Sequence, residues 1–220
     1  MGERELIIFD WDGTLMDSTE RIVECMTGAA VDAGLRPCPP EAMRGIIGLG
    51  LPEAIRTLWP GIGEGQLERV RGCYSRRFVE AEREPCSLFP GIAEMLAMLQ
   101  AQQTRMAVAT GKSRRGLERI WRQSGLGEYF VASRCSDESG SKPHPAMVEE
   151  ILHETGVARD RALVVGDTTF DLEMARRARV EAVGVTWGAH PRHRLLEQEP
   201  LALVDEVHEL PALFRPVETA

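Results

Sequence analysis

The sequence predicts an α/β fold: a doubly wound, Rossmann-like parallel sheet with a small all-helical domain inserted after the first strand. Short apolar runs alternate with helical patterns over most of the chain, which is typical of βα repeats and a parallel sheet. Between the first two runs, helical periodicity replaces the strand pattern, and glycines and prolines interrupt it. These two observations divide the chain into a core, residues 1–16 and 88–220, and an inserted domain, residues 17–87.

The first strand is expected at residues 6–9, an apolar run that is followed at once by Asp10, Trp11, Asp12 and Gly13. Side chains two residues apart on a strand project to the same side, so both carboxylates would face one small space. Two such close negative charges repel each other unless a cation joins them or one stays protonated, and either arrangement suits chemistry on a phosphate ester. An ordinary acidic turn after a strand is the alternative explanation of this segment alone.

The inserted domain is expected to be a small helical bundle. Its first helix would begin with a capping box formed by Asp17 and Glu20 and would end at Gly34. A short helix would start near Pro52, and apolar residues spaced along 67–81 predict one face of a longer helix.

The second expected strand, residues 106–109, runs into Thr110 and Gly111. A hydroxyl and free backbone N–H groups at a strand end can bind phosphate oxygens, and Ser113 is placed to cap the next helix. Further along, Lys142 stands in a proline-rich segment just before another helix. Its ammonium could neutralise an anionic side chain and a phosphoryl group together.

A further buried strand, residues 162–166, leads into Asp167 and Asp171. Mg²⁺ prefers such oxygen ligands and usually takes one or two carboxylates with waters and substrate phosphate. Because open parallel sheets bind ligands at the carboxyl ends of their strands, these segments are expected to meet Asp10 and Asp12 at that edge. The remaining repeats are expected as strands near 130–133, 182–186 and 201–204 and as helices that end at Gly125 and Gly156.

The chain resembles the haloacid-dehalogenase-like superfamily, and within it the phosphoglycolate-phosphatase-like hydrolases with a helical cap. The resemblance spans nearly the whole sequence. Trp11 departs from the family pattern, in which smaller apolar residues are more usual, and it either only packs or narrows the mouth of the site. The matching motifs are D-x-D-G-T-L-x-D-S at residues 10–18, a Thr after a strand at Thr110, K-P-x-P at Lys142, and G-D-x-x-x-D at Asp167 and Asp171.

The resemblance implies hydrolysis of a phosphate ester through an aspartyl phosphate. In this family the acid that matches Asp10 attacks phosphorus, and the acid that matches Asp12 protonates the leaving oxygen and then activates water. The dehalogenase and phosphonate-cleaving branches lack an acid at the second position, so Asp12 favours an ester substrate. The resemblance further implies a Mg²⁺ ion held by Asp10, the backbone carbonyl of Asp12 and Asp167, phosphoryl-oxygen binding by Thr110, Gly111 and Lys142, and orientation of Lys142 or a metal-bound water by Asp171.

In the same family the inserted domain is a cap that closes over the site, excludes water and selects the leaving group. The glycine-rich stretch 45–51 resembles the loop that the family turns toward its substrate, so Arg44, Gly48 and Arg56 are candidate substrate contacts. A small acidic substrate such as 2-phosphoglycolate would need a cation there. Alternatively, the glycines only join two short helices and the arginines face solvent.

Composition limits the other functional classes. The net charge of −8 and the isoelectric point near 5.3 disfavour a nucleic-acid partner, which requires a basic surface. Five scattered cysteines without a C-x-x-C pair indicate free thiols and a reducing compartment. The opening segment lacks the pattern of a signal peptide, and no apolar run approaches the ~20 residues of a membrane span. We expect a cytoplasmic protein, monomeric or homodimeric, that acts on a small phosphorylated metabolite.

Three other functions remain open on the sequence. A phosphosugar mutase of the β-phosphoglucomutase type shares all four motifs but returns the phosphate to the sugar. A noncatalytic phosphoacceptor, such as a response-regulator receiver domain, also gathers aspartates, a Thr and a Lys around Mg²⁺, but it is shorter and has no helical insert. A regulatory protein could keep the fold without activity, although no catalytic side chain of the family is missing here.

Overall fold

The computed structural model of the chain describes residues 4–214. Its centre is a sheet of parallel strands, which are β1 (Leu6–Phe9), β2 (Arg105–Thr110), β3 (Ala132–Cys135), β4 (Ala162–Gly166), β5 (Glu181–Val185) and β6 (Ala202–Val204). The strand order is β3-β2-β1-β4-β5-β6. The chain builds outward from β1 to β3, then returns to the other side of β1 and builds β4 to β6. This reversal opens a crevice at the carboxyl ends of the central strands and confirms the predicted doubly wound sheet.

The central strand β1 is buried on both faces. Phe9 belongs to the apolar core on one side of the sheet, and Ile8 belongs to the core on the other side. Parallel sheets are typically covered on both faces, which explains why β1 is an unbroken apolar run. The register places Phe9 beside Val108 of β2 and Val165 of β4. The residue that follows Phe9 therefore emerges level with the ends of both neighbouring strands.

Four helices follow β1 before the chain re-enters the sheet domain, and they have a core of their own in which Met26, Ile55 and Val70 are buried. The two segments that connect these helices to the sheet domain lie side by side, and the N–H of Asp17 donates to the carbonyl of Ser87 at 2.9 Å. The helical insert after the first strand is thus confirmed, whereas its exact boundaries at residues 17 and 87 stay a prediction. The four helices are α1 (Thr19–Asp32), α2 (Pro40–Arg44), α3 (Leu51–Leu58) and α4 (Glu64–Ala81).

The predicted capping box at the start of α1 is wrong. Ser18, and not Asp17, is the N-cap residue, and its side chain makes no capping hydrogen bond. Its hydroxyl instead donates to the Asp12 carboxylate, while Glu20 pairs with Arg44. The side chains of Ser18 and Glu20 therefore bind other residues and form no capping box.

The helices that cover the sheet are α5 (Ile92–Ala101), α6 (Arg114–Ser124), α7 (Ala146–Thr155), α8 (Thr169–Ala178) and α9 (Arg192–Leu196). Short 3₁₀ segments lie at Leu126–Tyr129, Arg159–Arg161 and Val207–Leu213. Gly125 and Gly156 end α6 and α7 in the left-handed conformation, as predicted. The strand expected near 130–133 begins two residues later, at Ala132. Within residues 4–214, no helix is both long enough and apolar enough to cross a membrane.

Trp11, the departure from the family pattern, packs in the core. Its side chain is completely buried. Its ring meets the rings of Trp121 and Phe130 edge-on, at centroid distances of 6.4 and 6.1 Å. Of the two explanations that the sequence left open, packing is the one that the structure supports.

Candidate active site

Asp10 emerges from β1 at the carboxyl edge of the sheet and is only 2% exposed. Its N–H donates to the carbonyl of Val165 at 2.9 Å, which continues the hydrogen-bond ladder between β1 and β4. Gly13 then turns the chain with a φ of +84°, a conformation that favours glycine. The backbone therefore fixes Asp10 at the point where the central strands end.

The side chain of Lys142 is completely buried and joins two carboxylates. Its Nζ lies 2.6 Å from Oδ1 of Asp10 and 2.6 Å from Oδ1 of Asp171. Burial disfavours the charge on this ammonium, but the two carboxylates outweigh burial and raise the pKa of Lys142 above its ordinary value. Lys142 is therefore a permanent cation beside Asp10, and Asp171 is its second partner.

Asp167 follows β4 and is completely buried. The hydroxyl of Thr14 donates to its Oδ1 at 2.7 Å, and the N–H of Ala189 donates to its Oδ2 at 2.7 Å. Burial, aided by the negative charge of Asp171, raises the pKa of Asp167 to about 7 despite these hydrogen bonds. Two hydrogen bonds thus fix the position of the Asp167 carboxylate, while burial disfavours its ionised form.

Two glycines make room for the Asp167 carboxylate. A Cβ atom built on Gly13 would lie 2.2 Å from Oδ2 of Asp167, and one built on Gly188 would lie 2.1 Å from the same oxygen. Both distances are too short for any non-bonded contact, so a side chain at either position would displace the Asp167 carboxylate. Gly13 is part of the first motif, whereas the requirement at Gly188 was not predicted from the sequence.

The acidic cluster has the properties of a site for a divalent cation. Carboxylate oxygens of Asp10, Asp167 and Asp171 lie within 4.8 Å of one another, and Oδ2 of Asp10 is buried without a hydrogen-bond partner. Burial raises the pKa of Asp10 well above its ordinary range, because Lys142 offsets burial only in part and the neighbouring carboxylates add to it. A cation would supply the missing partner. Since Asp171 already accepts from Lys142 and Thr168, Asp10 and Asp167 are the better candidate ligands.

Thr110 is the last residue of β2 and is fully buried. Its Oγ1 accepts a hydrogen bond from the N–H of Lys112 at 3.2 Å. The next residue, Gly111, lies against the inserted domain, because a Cβ atom built there would lie 2.7 Å from the carbonyl oxygen of Gly48 and 2.6 Å from that of Leu49. The loop after β2 therefore needs glycine at this position to touch the glycine-rich stretch.

Both side-chain oxygens of Asp12 have partners. The hydroxyl of Ser18 donates to Oδ1 at 2.5 Å, and Nζ of Lys112 lies 3.0 Å from Oδ2. The Asp12 side chain is not part of the acidic cluster, so the expectation that Asp12 binds a metal rests on its backbone carbonyl alone. Sequence analysis missed the roles of Ser18 and Lys112. The available signal was that each belongs to a segment already assigned to the site.

A cavity of about 810 Å³ lies between the sheet domain and the inserted helices. Asp10, Asp12 and Gly111 line it from the sheet domain. Gly48 and Phe78 line it from the inserted helices, so Gly48, a candidate substrate contact, lies at this cavity. The cavity thus joins the two carboxylates to the loop that sequence analysis singled out.

Arg44 and Arg56, the other two expected substrate contacts, do not line this cavity. Nη2 of Arg44 lies 2.5 Å from Oε1 of Glu20, and Nη2 of Arg56 lies 2.8 Å from Oε1 of Glu64. All four side chains are well exposed. This corrects the expectation: the two arginines form ion pairs on the surface, and the alternative that they face solvent describes them.

His190 joins the sheet domain to the inserted domain and is almost completely buried. Its Nδ1 accepts from the N–H of Thr169 at 3.0 Å, and its Nε2 lies 3.3 Å from the carbonyl oxygen of Gly45. Burial lowers the pKa of His190 to about 4, so the ring is neutral and its proton belongs on Nε2. The N–H of Gly50 also donates to the Ser141 hydroxyl at 2.8 Å. These contacts hold the glycine-rich stretch against the sheet domain.

Comparisons with known proteins agree with this architecture. The family model described as haloacid dehalogenase-like hydrolase matches residues 7–185. The chain is 35% identical over 214 residues to the Dickeya dadantii protein named "Probable phosphatase IndB", covering 94% of this chain and 92% of that protein. It is 28% identical over 211 residues to a phosphoglycolate phosphatase of Pseudomonas fluorescens, covering 93% of this chain and 78% of that enzyme.

A solved structure shows the same fold. A haloacid dehalogenase-like family hydrolase from Streptococcus pneumoniae superposes with a TM-score of 0.84 at 24% sequence identity, covering 97% of this chain and 100% of that one. The family model spans the acids after β1, the loop after β2, Lys142 and the acids after β4. The chain belongs to the haloacid dehalogenase-like hydrolase family.

Proposed function

We propose that this protein is a Mg²⁺-dependent phosphatase that hydrolyses a small phosphate monoester, either a phosphoglycolate-like compound or a sugar phosphate. The observation that carries the proposal is the buried contact between Lys142 and Asp10, beside an Asp10 oxygen that lacks a partner. A carboxylate fixed in this way can attack phosphorus, while the ammonium offsets the charge of the phosphoryl oxygens. The relatives named phosphatase support the same reaction.

The reaction would run in two steps. In the first, an oxygen of Asp10 forms a bond to phosphorus as the bond between phosphorus and the ester oxygen breaks, and Asp12 gives its proton to that oxygen so that the alcohol leaves. In the second, a water oxygen attacks phosphorus, Asp12 takes the proton of the water, and the bond between phosphorus and Asp10 breaks. Phosphate is released, and both carboxyl groups return to their starting states.

The remaining site residues would bind the metal ion and the phosphoryl oxygens. Bound Mg²⁺ would offset the negative charge of the carboxylates and of the phosphoryl group. Asp10, Asp167 and the backbone carbonyl of Asp12 are the proposed ligands. The hydroxyl of Thr110, the backbone N–H of Gly111 and the ammonium of Lys142 are proposed to bind the phosphoryl oxygens, with Asp171 holding Lys142 in place.

The surroundings of the site support a small substrate. The cavity volume of about 810 Å³ is that of a small-molecule site, and the glycine-rich stretch, part of the proposed cap of residues 17–87, lies over it. We propose a phosphorylated metabolite as the substrate, with no nucleic-acid partner, since the net charge is −8. All five cysteines are free, which suits a cytoplasmic location. We propose a monomer or a homodimer, because the reaction needs no residue from a second chain.

The proposal is tested by phosphate release from p-nitrophenyl phosphate, 2-phosphoglycolate, sugar phosphates and nucleotides, with and without Mg²⁺. We expect release that needs the metal and is absent in Asp10→Asn. If all esters stay intact, the hydrolase proposal fails. Isomerisation of a sugar phosphate without phosphate release would identify a mutase, and a stable phosphoryl group on the protein without turnover would identify a phosphoacceptor.

A further inference from the structure

The chain uses lysine at only two positions, against 24 arginines. One of them, Lys142, contacts Asp10, and the other, Lys112, contacts Asp12. Lysine carries a compact ammonium on a flexible stem, whereas arginine presents a wide planar fork, so the two residues are not interchangeable in a confined space. The two contacts pair each acid of the first motif with one of the chain's two lysines.

The ammonium of Lys112 lies between the two domains. It lies 3.0 Å from Oδ2 of Asp12 and 4.6 Å from the centre of the Phe78 ring, which belongs to α4. The Lys112 side chain is 9% exposed, and Phe78 is buried. An ammonium over an aromatic face is attracted by the ring, and the attraction grows as water is excluded. Lys112 thus contacts the sheet domain through Asp12 and the inserted domain through Phe78.

Asp12 depends on this contact for its orientation. Ser18 holds one carboxylate oxygen, and Lys112 holds the other. A group that transfers a proton must stand within hydrogen-bond reach of the reacting atom, so a carboxyl group that is free to rotate is a poor general acid or base. Without Lys112, one hydroxyl contact at Oδ1 would remain to orient the Asp12 side chain.

The surroundings offer Lys112 no better carboxylate among the described residues that line the same space. A second cavity of about 250 Å³ is lined by Asp12, Lys112, Phe78 and Glu82. Glu82 already pairs with Arg119 of α6.

We propose that Lys112 is a positioning residue for Asp12: it aims the Asp12 carboxyl group at the leaving oxygen, and the Phe78 ring of α4 holds Lys112 in place. The proposal rests on the proposed function, because Asp12 needs aiming only if it transfers a proton. It predicts a defect that depends on the leaving group. An alkoxide must be protonated as it leaves, whereas p-nitrophenolate leaves readily without a proton.

The test compares kcat/KM for p-nitrophenyl phosphate with kcat/KM for an alkyl phosphate, either 2-phosphoglycolate or glucose 6-phosphate, whichever the wild type hydrolyses faster. For Lys112→Met we expect a loss of roughly 100-fold on the alkyl ester and less than about 3-fold on p-nitrophenyl phosphate, since general acids contribute about 10²- to 10⁴-fold. Lys112→Arg keeps the charge and should recover part of the loss. Phe78→Leu should show the same pattern at roughly 3- to 10-fold.

Arg122→Met is the matched control, because it removes one positive charge from the exposed surface of α6 and should change neither value. Equal losses on both esters, or no loss for Lys112→Met, would overturn the proposal while the hydrolase function stood. If the wild type hydrolyses none of the esters in the panel named above, the proposed function fails and this inference fails with it. Phe78→Leu leaves Lys112 in place and provides the same comparison if Lys112→Met does not fold.

Discussion

Gly188 lies directly against the Asp167 carboxylate, so that a Cβ atom built on Gly188 would stand 2.1 Å from Oδ2 of Asp167. The next residue, Ala189, donates its N–H to the same oxygen at 2.7 Å. The loop after β5 thus shapes the proposed metal site from a part of the chain that carries none of the family's motifs. A change in the conformation of this loop should therefore alter metal binding.

Gly188→Ala should weaken Mg²⁺ binding. The added methyl group must push Asp167 aside, and displacing the groups that orient a metal ligand typically costs roughly 10- to 100-fold in affinity. The measurement is the Mg²⁺ concentration that gives half of the maximal rate, together with the rise in melting temperature on adding Mg²⁺. Gly65→Ala is the control, since no atom lies within 4 Å of the position its Cβ would take. Equal Mg²⁺ affinities for the two variants would contradict the steric argument.

Lys142→Met should strongly destabilise the fold at neutral pH. The substitution leaves Asp10 and Asp171 buried without their shared cation, and breaking a buried pair from one side typically costs about 3–5 kcal/mol. Urea unfolding at neutral pH measures the loss. The double variant Lys142→Met with Asp171→Asn removes one of the stranded charges and should be more stable than the single variant. A double variant that is less stable would show that charge burial is not the cause.

Arg44→Ala and Arg56→Ala should leave kcat/KM within about 2-fold of the wild type, because exposed ion pairs contribute little and neither side chain lines the cavity. Gly48→Ala should be harmful, since Gly48 has a φ of +99° and its Cβ would lie 3.0 Å from the Thr168 hydroxyl. Steady-state kinetics on the best ester separates the three variants. A large loss of kcat/KM in either arginine variant would indicate that this arginine contacts the substrate.

His190 should stay neutral far below its ordinary pKa. Its folded pKa of about 4 lies below the ordinary value of 6.5, so its contribution to the free energy of unfolding is complete above about pH 6.5 and is lost as the pH falls toward 4. Titration of the ring resonances by NMR should give a midpoint near 4. A midpoint near 6.5 would mean that the ring is exposed and does not hold Gly45.

Mg²⁺ should bind more tightly as the pH rises toward and above about 7. Burial raises the pKa of Asp167 to about 7 and also raises that of Asp10, so protons compete with the metal below that pH. Calorimetric titration with Mg²⁺ in two buffers of different ionisation enthalpy should detect more proton release at about pH 6 than at about pH 8. Affinity that does not change with pH would show that these carboxylates are not the ligands.

The sheet and the acids were predictable because both are local signals. The bounds of β1 and β4 follow from unbroken apolar runs, and Asp10 and Asp167 come directly after them. The carboxyl ends of parallel strands meet at one edge of the sheet, so the position of each acid directly after a strand was enough to predict that these side chains lie close together.

The missed features depend on contacts between distant segments. Gly188 meets Asp167 because β5 lies beside β4 in the sheet, and no local pattern records how closely the loop after β5 approaches. Arg44 turns outward because Glu20 of another helix is its partner, and helical periodicity does not reveal the partners of surface charges. Lys112 and Phe78 likewise lie far apart in the sequence and in different domains, so no local pattern predicts their contact.

The most direct test of the account is to quench the enzyme in acid during turnover with Mg²⁺ and to locate any phosphoryl group by mass spectrometry. The account predicts a phosphoryl group on Asp10 of the wild type and none on Asp10→Asn, which should also release no phosphate. Phosphate release that continues in Asp10→Asn, or a phosphoryl group on any other residue, would contradict it.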